Sequence, residues 1–197
     1  AGALHERPLD LPDVDQRREA VPDVVHDVDA PQAVLTGEPV DLDLAPAQSV
    51  DALIAQGARA LTVVNNNAGN GDTGLAKLLA TGRVRKIICS FPRQADSHHF
   101  DLAYRAGRIE LELVPQGNLA ERIRAAGAGI GGFFTPTGYG TDLAHGKEVR
   151  ELDGRMQVFE TPLHADFAFI KAERGDRWGN LPYRMTARNF GPVMAMA

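Results

Sequence analysis

With 197 residues, 44% of them hydrophobic and 24% charged, and a net charge of -5, the chain is sized for one domain with a proper core. It has no basic excess to hold nucleic acid, no polybasic run for a membrane surface, no apolar span near the ~18–20 residues of a membrane helix and no signal-peptide pattern. Small molecules or proteins are the expected partners, and the cytoplasm is the expected compartment.

In chain order, the first fifty residues stand apart. They hold eleven Asp and Glu against three Arg, net -8, which leaves the other 147 residues at net +3. They also carry six of the twelve prolines and no Phe, Tyr or Trp. Residues 1–48 therefore read as an acidic, Pro-rich segment, poorly folded or extended, able to support a short strand or two. From residue 49 to 197 the pattern is that of a folded domain. Val50 to Gly57 reads as a helix, Ala60 to Val64 as a buried strand, and Thr73 to Ala80 as a helix with Thr73 as N-cap. Val84 to Phe91 is a strand carrying the only cysteine, Cys89, which excludes an internal disulfide and suits a small buried hydrophobe. Asp96 to Arg105 reads as a helix, Ile109 to Val114 as a strand, Leu119 to Ala126 as a helix, and Met156 to Glu160 and Phe167 to Lys171 as strands. Strands joined by helices of about ten residues predict an α/β fold, an open, mostly parallel sheet with helices on both faces.

Several segments carry candidate chemistry. Gly69-Asn70-Gly71-Asp72-Thr73-Gly74 is a literal G-x-G-x-x-G between a strand and a helix, but the next strand ends in Ser90-Phe91-Pro92 without the acid that holds a dinucleotide ribose. NAD is thereby disfavoured, and no Gly-Lys-Ser/Thr follows for a nucleotide phosphate. Asn65, Asn66 and Asn67 fall at the carboxyl end of a strand, where open α/β sheets place ligands; asparagines also simply fill turns. Gln116 is presented just after a strand, before a helix that starts near Asn118, as a neutral donor able to face a developing oxyanion. Asn118 with Glu121 makes a capping-box variant there. His98 and His99 beside Asp96 and Asp101 invite a metal reading. Adjacent helical residues diverge and no second ligand cluster is visible, so a solvated helix start is expected and no metal. Arg83, Arg85, Lys86 and Arg93 fit either the phosphates of a ligand or scattered surface cations. Gly131-Gly-Phe-Phe-Thr-Pro-Thr-Gly138-Tyr-Gly-Thr141 is too Gly-rich for a helix or regular strand interior and reads as a loop that presses backbone against a ligand or a partner.

Taken together, Val64 to Gly69, Val114 to Arg122, Gly131 to Thr141 and Lys171-Ala172 with Gly175 to Asn180 resemble, in order and spacing, the A (alpha) subunit of the bacterial family I CoA-transferases. The resemblance covers about residues 49–197. Before Gly57 the chain lacks the family's Gly-Gly-Phe-type loop, and it stops at Phe190 to Ala197 where family members continue for another strand and helix. A frame error, a natural replacement or an incomplete product would each account for this. The resemblance implies a CoA-transferase-like fold and transfer of CoA from succinyl-CoA to a 3-oxo acid. The segments Gly69 to Gly74 and Cys89-Ser90-Phe91-Pro92-Arg93-Gln94 favour 3-oxoadipate. It also implies that the nucleophilic glutamate belongs to a partner B subunit in a hetero-oligomer, with no catalytic residue in this chain. Asn66, Asn67, Gly69, Gln116 and Gly138 would line the acyl-CoA site, Gln116 supporting the oxyanion. The CoA thioester is a substrate, and no cofactor is permanently bound. The alternatives are a non-catalytic ligand-sensing domain on the same scaffold and an inactive, truncated form of the A chain.

Overall fold

The structure, a computed structural model, describes residues 33–36, 46–170, 172–184 and 188–197. Its centre is a five-stranded parallel sheet in the order β4-β3-β2-β1-β8. The strands are β1 (Ala33–Thr36), β2 (Leu61–Val64), β3 (Val84–Cys89), β4 (Glu110–Leu113) and β8 (Phe167–Phe169). Strand β1 pairs Ala33 with Thr62 on one side and Val34 with Phe167 on the other. The acidic segment thus contributes an interior strand of four residues; the remaining residues of 1–45 lie outside those described.

Alternation along the strands sends successive side chains to opposite faces. Leu61, Val63, Ile87, Cys89 and Ile109 pack on one face with Val50 of α1 (Pro46–Gln56), Leu75, Leu78 and Leu79 of α2 (Gly74–Ala80) and Phe100 of α3 (His98–Arg105). Val64, Ile88 and Val114 point the other way, onto Leu119 and Ile123 of α4 (Gln116–Gly127) and Met194 of α5 (Gly191–Met194). Helices therefore cover both faces, as the strand and helix periods predicted. Helix α1 begins four residues before Val50, and α4 begins at Gln116 rather than Leu119.

The parallel sheet is not the whole architecture. Strands β5 (Phe133–Thr135), β6 (Val149–Leu152) and β7 (Arg155–Glu160) form a second, antiparallel sheet in the order β5-β7-β6. The Met156 to Glu160 strand belongs here, and the Gly-rich stretch is partly strand: Phe133 pairs with Glu160 and Thr135 with Val158. Only its flanks are irregular. Strand β6 was legible in principle, because Asp153-Gly154, both at positive φ, is a strong two-residue hairpin signal.

Cys89 is fully buried, and burial pushes its thiol up to about 12. Because the thiolate is the nucleophile, the folded chain is expected to resist iodoacetamide at pH 8 and to take up one label on unfolding in denaturant, read by intact mass. Rapid labelling of the folded chain would contradict this burial.

Candidate functional site

The carboxyl ends of β2, β3 and β4 form one edge, and the backbone stays paired beyond the strands. Asn65 N donates to Ile88 O at 3.1 Å, Ser90 N and Phe91 N both donate to Asn66 O at 3.1 Å, and Val114 N donates to Cys89 O at 2.9 Å. The asparagine triplet is therefore an extension of the sheet and not a loose turn.

All three asparagines are buried, at 0%, 1% and 0% exposure. Asn65 Nδ2 donates to Asn67 O at 3.0 Å, Asn67 Oδ1 accepts from Gly69 N at 2.9 Å, and Ser90 Oγ donates to Asn66 Oδ1. Three amide atoms remain without a partner among the described residues: Asn65 Oδ1, Asn66 Nδ2 and Asn67 Nδ2. An unpaired buried polar group costs about 1–3 kcal/mol, and two of these three, Asn66 Nδ2 and Asn67 Nδ2, are donors.

Gly69 closes the turn at φ +84, where a Cβ would lie 2.5 Å from Ala76 N and 2.9 Å from Ala76 Cα. The first turn of α2 thus packs directly on the loop that follows the asparagines. Ser97 Oγ donates to Gly69 O at 3.2 Å and ties the same loop to α3.

Gln116 is exposed at the first position of α4, just past the tip of β4. Strand β3 separates it from the triplet, so the two tips lie two strand spacings, about 10 Å, apart along the edge. The asparagine amides are enclosed, whereas Gln116 is open. Gly138, at φ +92, sits in a turn in which its carbonyl accepts from Thr141 N at 3.2 Å and from Thr141 Oγ1 at 2.7 Å. Asn118 Nδ2, two residues after Gln116, reaches Thr137 O at 3.4 Å and Glu160 Oε1 at 3.1 Å. This corrects the capping-box reading: Asn118 lies inside α4 and holds the Gly138 turn and β7 to it, while Glu121 pairs with Arg124 at 2.7 Å.

Asn118 belongs to a buried polar network that the sequence did not reveal. Strands β3 and β4 turn Lys86, Glu110 and Glu112 toward α4, and Lys86 Nζ lies 2.9 Å from Glu110 and 2.8 Å from Glu112. Arg122 of α4 meets Glu112 at 2.8 Å, donates to Thr161 O at 2.9 Å and approaches Glu160 at 4.0 Å. Glu160, 3% exposed, is also paired with Lys147 at 2.7 Å. Burial pushes the Glu112 carboxyl up, but the hydrogen bonds from Arg122 and Lys86 outweigh it and hold the group below the usual range. The four cations weighed as phosphate ligands are all engaged within the chain. Lys86 is paired as above, Arg93 with Asp101 at 2.8 Å, Arg85 with Thr62 Oγ1 at 3.0 Å, and Arg83 with Ile54 O. The spacing of Asn118 and Arg122, four apart on one helix face, was the available signal for the network; Glu160 offered none.

The last motif folds around Asp176, whose Oδ1 accepts from Trp178 N at 2.8 Å and Asn180 N at 2.9 Å and whose Oδ2 accepts from Asn180 Nδ2 at 2.7 Å. These bonds hold its carboxyl below the usual range. They leave Trp178 74% exposed under the Arg177 guanidinium.

A family model described as coenzyme A transferase matches residues 42–197. The chain is 72% identical over 152 residues to the A chain of 3-oxoadipate CoA-transferase from Pseudomonas putida, a match covering 77% of this chain and 66% of that protein. It is 67% identical to the protein of the same name from Acinetobacter baylyi, over 77% of this chain and 67% of that one. It is 53% identical to the A chain of succinyl-CoA:3-ketoacid coenzyme A transferase from Xanthomonas campestris pv. campestris, over 77% and 62%. The chain thus spans about two thirds of the length of the curated relatives it matches. Among solved structures, a cysteine-to-serine variant of the decarboxylase AibA/AibB superposes with a TM-score of 0.70 at 23% identity, covering 86% of this chain and 67% of that one. Glutaconate coenzyme A-transferase from Acidaminococcus fermentans gives 0.63 at 19%, covering 77% and 55%. Because that fold serves proteins named both for decarboxylation and for transfer, the fold by itself does not choose between them.

Proposed function

The chain belongs to the coenzyme A transferase family, and from that premise we propose that it is the A component of a two-component 3-oxoacid CoA-transferase, working with succinyl-CoA and 3-oxoadipate. The observation that carries the substrate choice is the fall in identity, from 72% and 67% with two proteins named for 3-oxoadipate to 53% with one named for 3-ketoacids. A carboxylate on the partner B chain attacks the succinyl-CoA thioester, releasing CoA thiolate and forming an acyl-glutamyl anhydride. The thiolate then attacks the glutamyl carbonyl, expelling succinate and leaving an enzyme-CoA thioester. 3-Oxoadipate reverses the sequence and leaves as 3-oxoadipyl-CoA. Each intermediate stays activated, so exchange between acids of similar energy needs no ATP.

In this reading the residues of this chain bind and polarise. The unpaired Nδ2 groups of Asn66 and Asn67 donate to the acyl group, Gly69 keeps the backbone close, Gln116 donates to the oxyanion, and the Gly138 turn forms the adjoining wall. Such preset donors cost no reorganisation when charge develops. No helix among the described residues is long and apolar enough to cross a membrane.

The test is co-expression with the B chain of a 3-oxoadipate enzyme, followed by an assay of CoA transfer from succinyl-CoA to 3-oxoadipate. Turnover supports the proposal. Co-purification without turnover would refute an active A chain, and a preference for acetoacetate would refute the substrate. Gln116→Ala is expected to lower kcat about a hundredfold, as loss of one oxyanion donor does elsewhere, with assembly on size-exclusion chromatography unchanged. An unaltered kcat would remove Gln116 from that role.

A further inference from the structure

The loop after the asparagine triplet and the start of α3 bring together two imidazoles and a carboxylate. His99 Nε2 lies 2.7 Å from Asp72 Oδ1, and His98 Nε2 lies 3.4 Å from the same oxygen. One ligand atom from each of the three residues can be chosen so that all lie within 4.8 Å of one another. The two rings are 3.9 Å apart and tilted by 45°, so although adjacent on the helix they turn toward one point. The expectation from sequence that neighbours diverge fails because these residues begin α3, where the partner is a loop crossing the helix end rather than a helix face.

We infer that Asp72, His98 and His99 form a binding site for a divalent transition-metal ion, zinc above all, with Asp96 supporting His98. Two imidazole nitrogens and one carboxylate oxygen are a donor set suited to Zn²⁺, Co²⁺ or Ni²⁺. Tetrahedral bonds of about 2.0–2.1 Å place ligand atoms about 3.3 Å apart. The separation of 3.4 Å already meets this, and the pair at 2.7 Å has only to open by about half an ångström on that geometry. Side chains this exposed, 81% for Asp72, 41% for His98 and 22% for His99, can move that far, and water can fill the open coordination position.

A second feature points the same way. His98 Nδ1 lies 2.8 Å from Asp96 Oδ1, and an ionised carboxylate only accepts, so Nδ1 carries the proton. In the neutral ring Nε2 then bears a lone pair directed at the Asp72 carboxylate. Both atoms are then lone-pair donors that a cation can share. A carboxylate on the far nitrogen is also the usual support for a metal-bound histidine. His99 Nε2, 2.7 Å from Asp72 Oδ1, carries no proton when it ligates a metal. The positive end of α3 opposes a cation, and the two carboxylates, Asp72 and Asp96, offset it.

Bound metal would fasten the loop to α3 more firmly than two existing links, Gly71 N to Asp96 O at 2.8 Å and Asp96 N to Asn70 Oδ1 at 2.8 Å. The test uses the full, untagged chain stripped with chelator at pH 7.5 and titrated with Co²⁺ by visible absorption and with Zn²⁺ by calorimetry. It reads binding, so it stands or falls independently of CoA transfer. One equivalent is expected. His98→Ala, His99→Ala and Asp72→Asn should each weaken binding at least tenfold, Asp96→Asn tenfold to a hundredfold, and His145→Ala and His164→Ala not at all. Histidine ring resonances supply a readout that needs no variant: His98 and His99 should shift with Zn²⁺ while His145 and His164 stay in place. Absence of stoichiometric binding at micromolar metal, binding undiminished in the His98 and His99 variants, or shifts confined to other histidines would overturn the assignment.

Discussion

Replacing Arg122 with alanine is expected to cost about 2–3 kcal/mol of folding stability, less than the ~3–5 kcal/mol seen when a buried charge loses its only partner, because Glu112 is 32% exposed and keeps Lys86. The guanidinium is 9% exposed, and its loss removes one of the two cations on Glu112, unpairs the Thr161 carbonyl it bonds at 2.9 Å and takes away part of the field that offsets Glu160. Lys86 remains on Glu112 at 2.8 Å and Lys147 on Glu160 at 2.7 Å. Urea denaturation monitored by circular dichroism measures the change, and a loss below about 1 kcal/mol, the scale of surface pairs, would show that the network contributes little. The acid side of the stability curve gives a second readout. Burial pushes Glu112 up and Arg122 and Lys86 more than reverse it, so the folded carboxyl titrates below its unfolded value of 4.5. A group shifted down stabilises the fold above the unfolded value, and that contribution disappears as the pH falls through the folded one. The parent chain should therefore lose stability on acidification below about pH 4.5, and Arg122→Ala should lose less over that interval. An equal acid-side loss in both would assign the dependence to other carboxylates.

Gly69→Ala is expected to destabilise the chain by about 3–4 kcal/mol, combining a left-handed backbone, about 1–2 kcal/mol for a residue with a Cβ, with overpacking of about 1–3 kcal/mol. The overpacking cannot be relieved by a rotamer change, because the atoms at 2.5 and 2.9 Å are the backbone N and Cα of Ala76 in α2. Either α2 moves away from the sheet or the loop carrying Asn67 and Gly69 moves outward, and the second response breaks the 2.9 Å bond from Gly69 N to Asn67 Oδ1. Thermal unfolding should report a lower Tm. In a reconstituted two-component enzyme, kcat/KM should fall more than the residual folded fraction explains. Gly71→Ala is the control, since a Cβ there meets nothing within 4 Å although its φ is +61; it should cost about 1–2 kcal/mol from the backbone alone. Equal losses in the two variants would show that the approach of α2 is not the cause.

Much of the fold was legible because its signals are local. The runs at residues 60–64, 84–91 and 109–114 alternate or are continuously apolar, helical spacing separates them, and a chain with that order can bury its strands only as a parallel sheet covered on both faces. Leu61, Val63, Ile87 and Phe100 occupy the core that this pattern requires. The interior position of β1 was not legible: Ala33 to Thr36 lies in an acidic, aromatic-free stretch, and it is the neighbouring β2 and β8 that hold it.

Residue type and local order fixed which groups reach the carboxyl edge, since asparagines directly after a strand, and a glutamine directly after another, have nowhere else to be. What only the tertiary structure decided is whom they meet. Asn65, Asn66 and Asn67 are enclosed while Gln116 stays open, Asn118 bonds Glu160 across 42 residues, and Asp72 meets His99 across 27. Pairings at that separation depend on how α3, α4 and the small antiparallel sheet dock against the strands, a matter of many weak packing contacts summed over the chain, whereas a strand tip is set by the few residues on either side of it.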